Sequence, residues 1–120
     1  MVDGRGNVYL NNIGFDFPHG QFAPGTMALV TPDGVARQVA DGLDFPNGMV
    51  VTPDNRTLIV AESYAGSLTV FDIGADGSLS NRRTWAKVEG AAPDGISPLS
   101  AHAGATPPGA AYSISLHTVL

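Results

Sequence analysis

Two short segments of this chain repeat one another. Phe45-Pro46-Asn47-Gly48-Met49 and Ala92-Pro93-Asp94-Gly95-Ile96 share the pattern Pro-Asx-Gly-apolar at an offset of 47 residues. Recurrence at a fixed period of roughly 40–50 residues restricts a chain to repeated units, each too small to bury a core alone. Between the copies lie four strand-like runs, 48–51, 57–61, 68–72 and 79–85, separated by the turn formers Thr52-Pro53-Asp54-Asn55 and Gly74-Ala75-Asp76-Gly77. Proline presets φ at a turn's first corner, and Asn, Asp or Gly accepts the backbone that follows. Upstream, runs at 6–10, 27–30 and 35–39 continue the series, the last two flanking Thr31-Pro32-Asp33-Gly34. Four antiparallel strands per repeat of this length describe a β-propeller blade. One period before Asn47 lies just ahead of Met1, so Met1-Val2 reads as the end of an earlier blade's first strand. The prediction is an all-β chain holding one nearly complete blade, one complete blade and the start of a third. A ring needs about four to eight blades, so this stretch reads as a fragment of one.

Composition agrees with that reading and excludes other classes. Gly and Pro number 15 and 9 among 120 residues, too many breakers for long helices. Six Lys and Arg against 11 Asp and Glu give a net charge of −5, which disfavours nucleic acid and anionic membranes as partners. The absence of Cys excludes disulfides, thiolate metal sites and a cysteine nucleophile. The start, MVDGRGNVYL, lacks a signal-peptide layout, and no apolar run is long enough for a membrane span, so a soluble cytoplasmic product is expected. Every charged residue lies within 1–96. Residues 97–120 are rich in Ala, Ser and Pro, and are expected to be a divergent, largely irregular tail with a short strand at 111–116.

Several side chains bear on chemistry. Asn47 and Asp94 lie one period apart at the entrances to inner strands, which in a propeller surround a common axis. A carboxylate and an amide carbonyl are hard oxygen ligands, suited to Ca²⁺ or Mg²⁺ and less selectively to Mn²⁺ or Zn²⁺. Pro-Asp-Gly is also a routine turn, as at Pro32-Asp33-Gly34, so the residues by themselves leave both readings open. The loop 14–25 carries Phe15, Phe17, His19 and Phe22 among turn formers, and long loops on β scaffolds often carry function. His19 reads as a surface residue without a nucleophile partner, and Glu62, at a strand end, as a solvated rim charge. Arg82 and Arg83 read as solvated or as pairing between blades, and Trp85 as packing between blades. His102 and His117 receive no role.

The runs DGRGNVYLNNIGFDF, LVTPDG, ADGLDFPNGMVVTPDNRTLIVAES, LTVFDIGADGSLSNRRTW and APDGI resemble the senescence marker protein/gluconolactonase/luciferin-regenerating enzyme family. The likeness covers residues 1–96 and stops at Ser97, where the family's next inner hairpin, LD-x-x-G-x-x-W, does not follow. It implies a six-bladed propeller of four-stranded sheets and a divalent-metal-dependent hydrolase acting on a sugar lactone. It also implies that the cation, Ca²⁺ first and Zn²⁺, Mn²⁺ or Mg²⁺ otherwise, is held by Asn47, by Asp94 and by a Glu of a blade upstream of Met1. Asp94 would further act as the base that takes a proton from the attacking water. Asn11, Asn12 and Asp16 would line the substrate mouth. With the upstream ligand outside the chain, impaired activity and self-association through exposed blade edges are expected. The alternatives are a non-catalytic propeller binding module or an inactive truncated product.

Overall fold

Nine strands and no helix make up residues 1–88, 90–98 and 112–118, which the computed structural model describes. Strands β1 (Val8–Asn12), β2 (Gly25–Val30) and β3 (Ala36–Leu43) form a three-stranded antiparallel sheet. Strands β4 (Pro46–Val51), β5 (Thr57–Glu62), β6 (Ser67–Ile73) and β7 (Leu79–Lys87) form a four-stranded meander. A third sheet pairs β8 (Ala91–Pro98) with β9 (Tyr112–Thr118). The first sheet has a remnant of a fourth strand. Val2 bridges Val8 in antiparallel fashion, and the Tyr9 amide donates to the Met1 carbonyl at 2.7 Å. That is the stub expected from the repeat. In the tail, β9 contains most of the short strand expected at 111–116 and extends beyond it to Thr118. Residues 99–111, His102 among them, lie outside the described residues.

Burial shows how the sheets are layered. Along β2 buried and half-buried residues alternate, the mark of a sheet covered on one face. Along β5 and β6 burial is nearly continuous, because the middle sheet is covered on both faces. Its first face joins Leu58, Val60 and Phe71 to Tyr9, Met27, Leu29 and Leu43 of the first sheet. Its second face joins Ile59, Leu68 and Val70 to Ile96, Tyr112 and Ile114 of the third. Trp85 packs on that second seam, edge-on to Tyr112 at 5.4 Å, in agreement with its expected place between blades.

Polar contacts stitch the first seam. The buried Tyr9 hydroxyl donates to the Gly77 carbonyl at 2.8 Å, and Arg37 donates to the Asp76 carbonyl and to Ser78 Oγ. Arg82 reaches back from β7 to the carbonyls of Asp41 and Gly42 at 2.8 and 2.9 Å, so its role is pairing between sheets. Arg83 instead stays within its own sheet, 3.0 Å from Asp72. Among the described residues no helix is long and apolar enough to cross a membrane.

Candidate metal centre at the start of two inner strands

The 47-residue repeat is visible in the hydrogen-bond register. In the middle sheet Pro46 faces Glu62 and Met49 faces Val60, so Asn47 and Gly48 together oppose the single residue Ala61. In the third sheet Pro93 faces Leu116 and Ile96 faces Ile114, so Asp94 and Gly95 together oppose Ser115. Both Asx-Gly pairs are therefore β-bulges at equivalent places. A bulge frees residues from the ladder and re-aims their side chains, which is why bulges recur beside active sites.

The two bulges touch. A Cβ built on Gly48 would collide with the Asp94 carbonyl oxygen and stand 2.9 Å from Gly95 Cα and 3.0 Å from the Ile96 nitrogen. Glycine at 48 is thus what lets β4 and β8 approach at this point. Ser63 ties the same two segments: its hydroxyl donates to the Pro93 carbonyl at 2.6 Å and lies 3.4 Å from Asn47 Nδ2. Asp94 is half-buried beside them. The Asn47-Gly48 bulge thus lies against the backbone of the Asp94-Gly95 bulge.

The other expected residues, Asn11, Asn12 and Asp16, lie on β1 and in the loop that follows it. Asn11 adjoins the site, but its amide nitrogen donates to the Asn47 carbonyl at 2.7 Å and so holds the bulge. Asn12 accepts the Gly14 amide at 2.6 Å and anchors the start of the long loop. Asp16 lies exposed within that loop, its carbonyl accepting the Gly20 amide. His19 is exposed, as expected.

Glu62 requires a correction. It is not a solvated rim charge: only 4% of it is exposed. One carboxylate oxygen accepts the Asp44 amide at 2.8 Å and Arg82 at 3.3 Å, and the other accepts the Thr69 hydroxyl. A buried carboxylate persists only when paired in this way, and its partners lie 18, 20 and 7 residues away.

A second feature was not read from the sequence. The loop rings Phe15, Phe17 and Phe22 meet Phe45 and Tyr64, which flank the bulge strands. Phe45 stacks on Tyr64 at 4.8 Å and adopts a left-handed backbone, φ 58°. For a bulky residue that conformation costs about 1–3 kcal/mol and persists only when its surroundings impose it. The Ser63 and Tyr64 amides, donating to the Phe45 and Asp44 carbonyls, do so here. The sequence signal was present in Asp44-Phe45-Pro46-Asn47, an aromatic next to the candidate ligand.

These features agree with comparisons to known proteins. The profile of the SMP-30/gluconolactonase/LRE-like region matches residues 1–98. The chain belongs to that family. Within it, the chain is 30% identical over 97 residues to diisopropyl-fluorophosphatase of the squid Loligo vulgaris, covering 68% of this chain and 31% of that protein. The solved gluconolactonase of Xanthomonas campestris superposes with a TM-score of 0.64 at 31% identity, over 79% of this chain and 35% of the other. A luciferin-regenerating enzyme superposes with a TM-score of 0.66 at 22% identity, over 79% and 33%, a likeness of fold. This SMP-30/gluconolactonase-like chain thus spans about a third of the length of these relatives. Its strands form propeller blades.

The donor chemistry bears on a metal. Asn47 and Asp94 offer one neutral and one anionic oxygen donor from touching bulges, a set that fits part of a hard-cation site. Among the described residues no three His, Cys, Asp or Glu side chains gather. The pair alone does not complete a cation site.

Proposed function

We propose that this chain carries two ligands of a divalent-metal-dependent hydrolase site for a cyclic ester. The observation that supports the reading most is the contact between the two Asx-Gly bulges, with Gly48 against Asp94 and Gly95. Asn47 and Asp94 hold the cation, Ca²⁺ by the hardness of the donors. When bound, such an ion withdraws charge from an ester carbonyl and stabilises developing negative charge on its oxygen. The Asp94 carboxylate accepts the proton of the attacking water. The acyl–oxygen bond of the ring then breaks, the ring oxygen takes up a proton, and a hydroxy acid leaves. Asn11 and Ser63 act as positioning residues, since they hold the bulges.

The test has two arms. Calorimetric titration with Ca²⁺ measures binding, and a pH-stat measures acid release from glucono-1,5-lactone, in this chain and in a version completed with the missing length of a family propeller. Weak Ca²⁺ binding and negligible turnover are expected of the 120-residue chain, since affinity follows ligand number and charge. Both are expected to recover in the completed protein and to be lost there on Asp94→Ala. Full activity of that variant would overturn the assignment. A second reading comes from the squid relative, whose name denotes cleavage of a fluorophosphate. Fluoride release from diisopropyl fluorophosphate exceeding lactone turnover in the completed protein would favour it.

A further inference from the structure

The link between the first and middle sheets bears on how the candidate centre is aimed. β3 ends at Leu43 and β4 begins at Pro46, so Asp44 and Phe45 alone carry the chain from one sheet to the next, and Asn47 is the second residue of β4. Three successive residues at and just beyond the end of β5 hold this link. The Glu62 carboxylate accepts the Asp44 amide at 2.8 Å, the Ser63 amide donates to the Phe45 carbonyl at 2.9 Å, and the Tyr64 amide donates to the Asp44 carbonyl at 3.1 Å. Pro46 itself faces Glu62 across the ladder. The left-handed backbone of Phe45 is thus imposed from β5, as a strained turn has to be.

Of these three residues Glu62 acts through its side chain, and that side chain is held from two further strands. Its second carboxylate oxygen accepts the Thr69 hydroxyl of β6, and Arg82 of β7 lies 3.3 Å from the first. The same guanidinium donates to the Asp41 and Gly42 carbonyls at 2.8 and 2.9 Å, just ahead of the link, and lies 5.9 Å from the centre of the Phe71 ring. A carboxylate tied at both oxygens has little freedom of orientation. Stability accounts poorly for such an arrangement, because exchanging a buried ion pair for packed apolar side chains is often neutral or stabilising. What a network of this kind supplies is fixed geometry, and metal ligands depend on the groups around them for theirs.

We infer that Glu62 is a positioning residue for the candidate centre: with Thr69 and Arg82 it clamps the Asp44-Phe45 link and so fixes where the next residues, Pro46 and the Asn47 bulge, enter the sheet. The inference rests on the metal-site reading for what Asn47 does, and the hold of Glu62 on the bulge is tested apart from it.

The experiment has a metal-free arm and a metal arm, with folding of each variant checked by circular dichroism. In the first, amide NMR of the 120-residue chain follows the Asn47 side-chain and Gly48 backbone signals. Both are expected to shift in Glu62→Ala and, by less, in Thr69→Val. They are expected to stay in Glu62→Gln, which keeps the hydrogen bonds, and in Tyr9→Phe, which loses a buried bond of the same seam away from the link. In the second arm, calorimetry on the completed protein is expected to show Ca²⁺ affinity about 10- to 100-fold lower in Glu62→Ala. Glu62→Gln and Tyr9→Phe should stay within about twofold of the wild type, and Glu62→Ala should add no more than about twofold once Asn47→Ala is present. Unmoved signals in a folded Glu62→Ala chain, equal shifts in Tyr9→Phe, or no rescue by Glu62→Gln would overturn the inference. So would a full further loss in the Asn47→Ala background. Should Glu62→Ala fail to fold, Thr69→Val decides by the same signals. A completed wild type that binds no Ca²⁺ would count against the metal reading alone, and shifted Asn47 and Gly48 signals would still support the clamp.

Discussion

Replacing Glu62 should reveal how much of the fold depends on one buried carboxylate. In Glu62→Ala the buried Thr69 hydroxyl and the part-buried Asp44 amide both lose their acceptor. Each unsatisfied donor costs about 1–3 kcal/mol. The Arg82 side chain is 40% exposed and regains solvent, so loss of the ion pair adds about 0–1 kcal/mol. The expected total is about 3 kcal/mol. Glu62→Gln retains an acceptor for Asp44 and a partner for Thr69 and loses only the charge, so it should cost about 1 kcal/mol. The assay is urea unfolding followed by Trp85 fluorescence, which reports on the seam with Tyr112. With a urea slope of about 1–3 kcal/mol/M, the Ala variant's midpoint should fall by about 1–3 M and the Gln variant's by about a third of that. Equal losses in the two variants would show that charge, and not hydrogen bonding, is what Glu62 supplies. A loss below about 0.5 kcal/mol for Ala would refute the strut altogether.

Gly48→Ala should push β4 from β8, because its Cβ meets backbone that cannot swing aside; a destabilisation of about 1–3 kcal/mol is expected, with a Ca²⁺ affinity at least tenfold lower in the completed protein. Calorimetry showing unchanged affinity would deny the bulge contact its role. Tyr9→Phe should cost about 1–2 kcal/mol by leaving the Gly77 carbonyl without its buried donor. Burial also pushes the Tyr9 phenol up to about 12. Its folded value lies above the ordinary 10.0, so its contribution is complete below pH 10 and is lost as pH rises toward 12. Phenolate absorbance should therefore track alkaline melting in the wild type and not in Tyr9→Phe. At the acid end, Asp33, Asp72 and Asp76 are held below the ordinary 3.8 by hydrogen bonds from the Thr31 hydroxyl, from Asn81 and Arg83, and from Ser78. Depressed folded values mean stability present above 3.8 and lost as pH falls through them. Melting temperatures should thus drop below pH 4, and less steeply in Asp72→Asn.

Much of the fold was legible because its punctuation is local. Turns such as Thr31-Pro32-Asp33-Gly34 and Thr52-Pro53-Asp54-Asn55 announce themselves by residue type, and a period of 47 residues survives in Pro46 and Pro93, Met49 and Ile96. What could not be read depends on which strands become neighbours. Glu62 looks like a rim charge along the chain and becomes a buried strut only when Arg82 and Thr69 arrive from β7 and β6. Asn11 holds the bulge through the Asn47 carbonyl, 36 residues away, a link that nothing near it along the chain announces. The ring cluster assembles from three separate stretches, and no pattern within any one of them predicts that they meet.

The bulges have an evolutionary consequence. A ladder residue answers to two masters, since its side chain must serve the core while its backbone serves the sheet. In each bulge two residues face one across the ladder, and the unpaired slot loosens that double obligation at Asn47 and at Asp94. Each bulge is thus a position where a side chain can change with less consequence for the ladder. A blade built this way can exchange residues at its bulges while its ladder stays constant. Drift is least free at the small residue between them, Gly48, which no larger side chain can replace without moving the neighbouring strand.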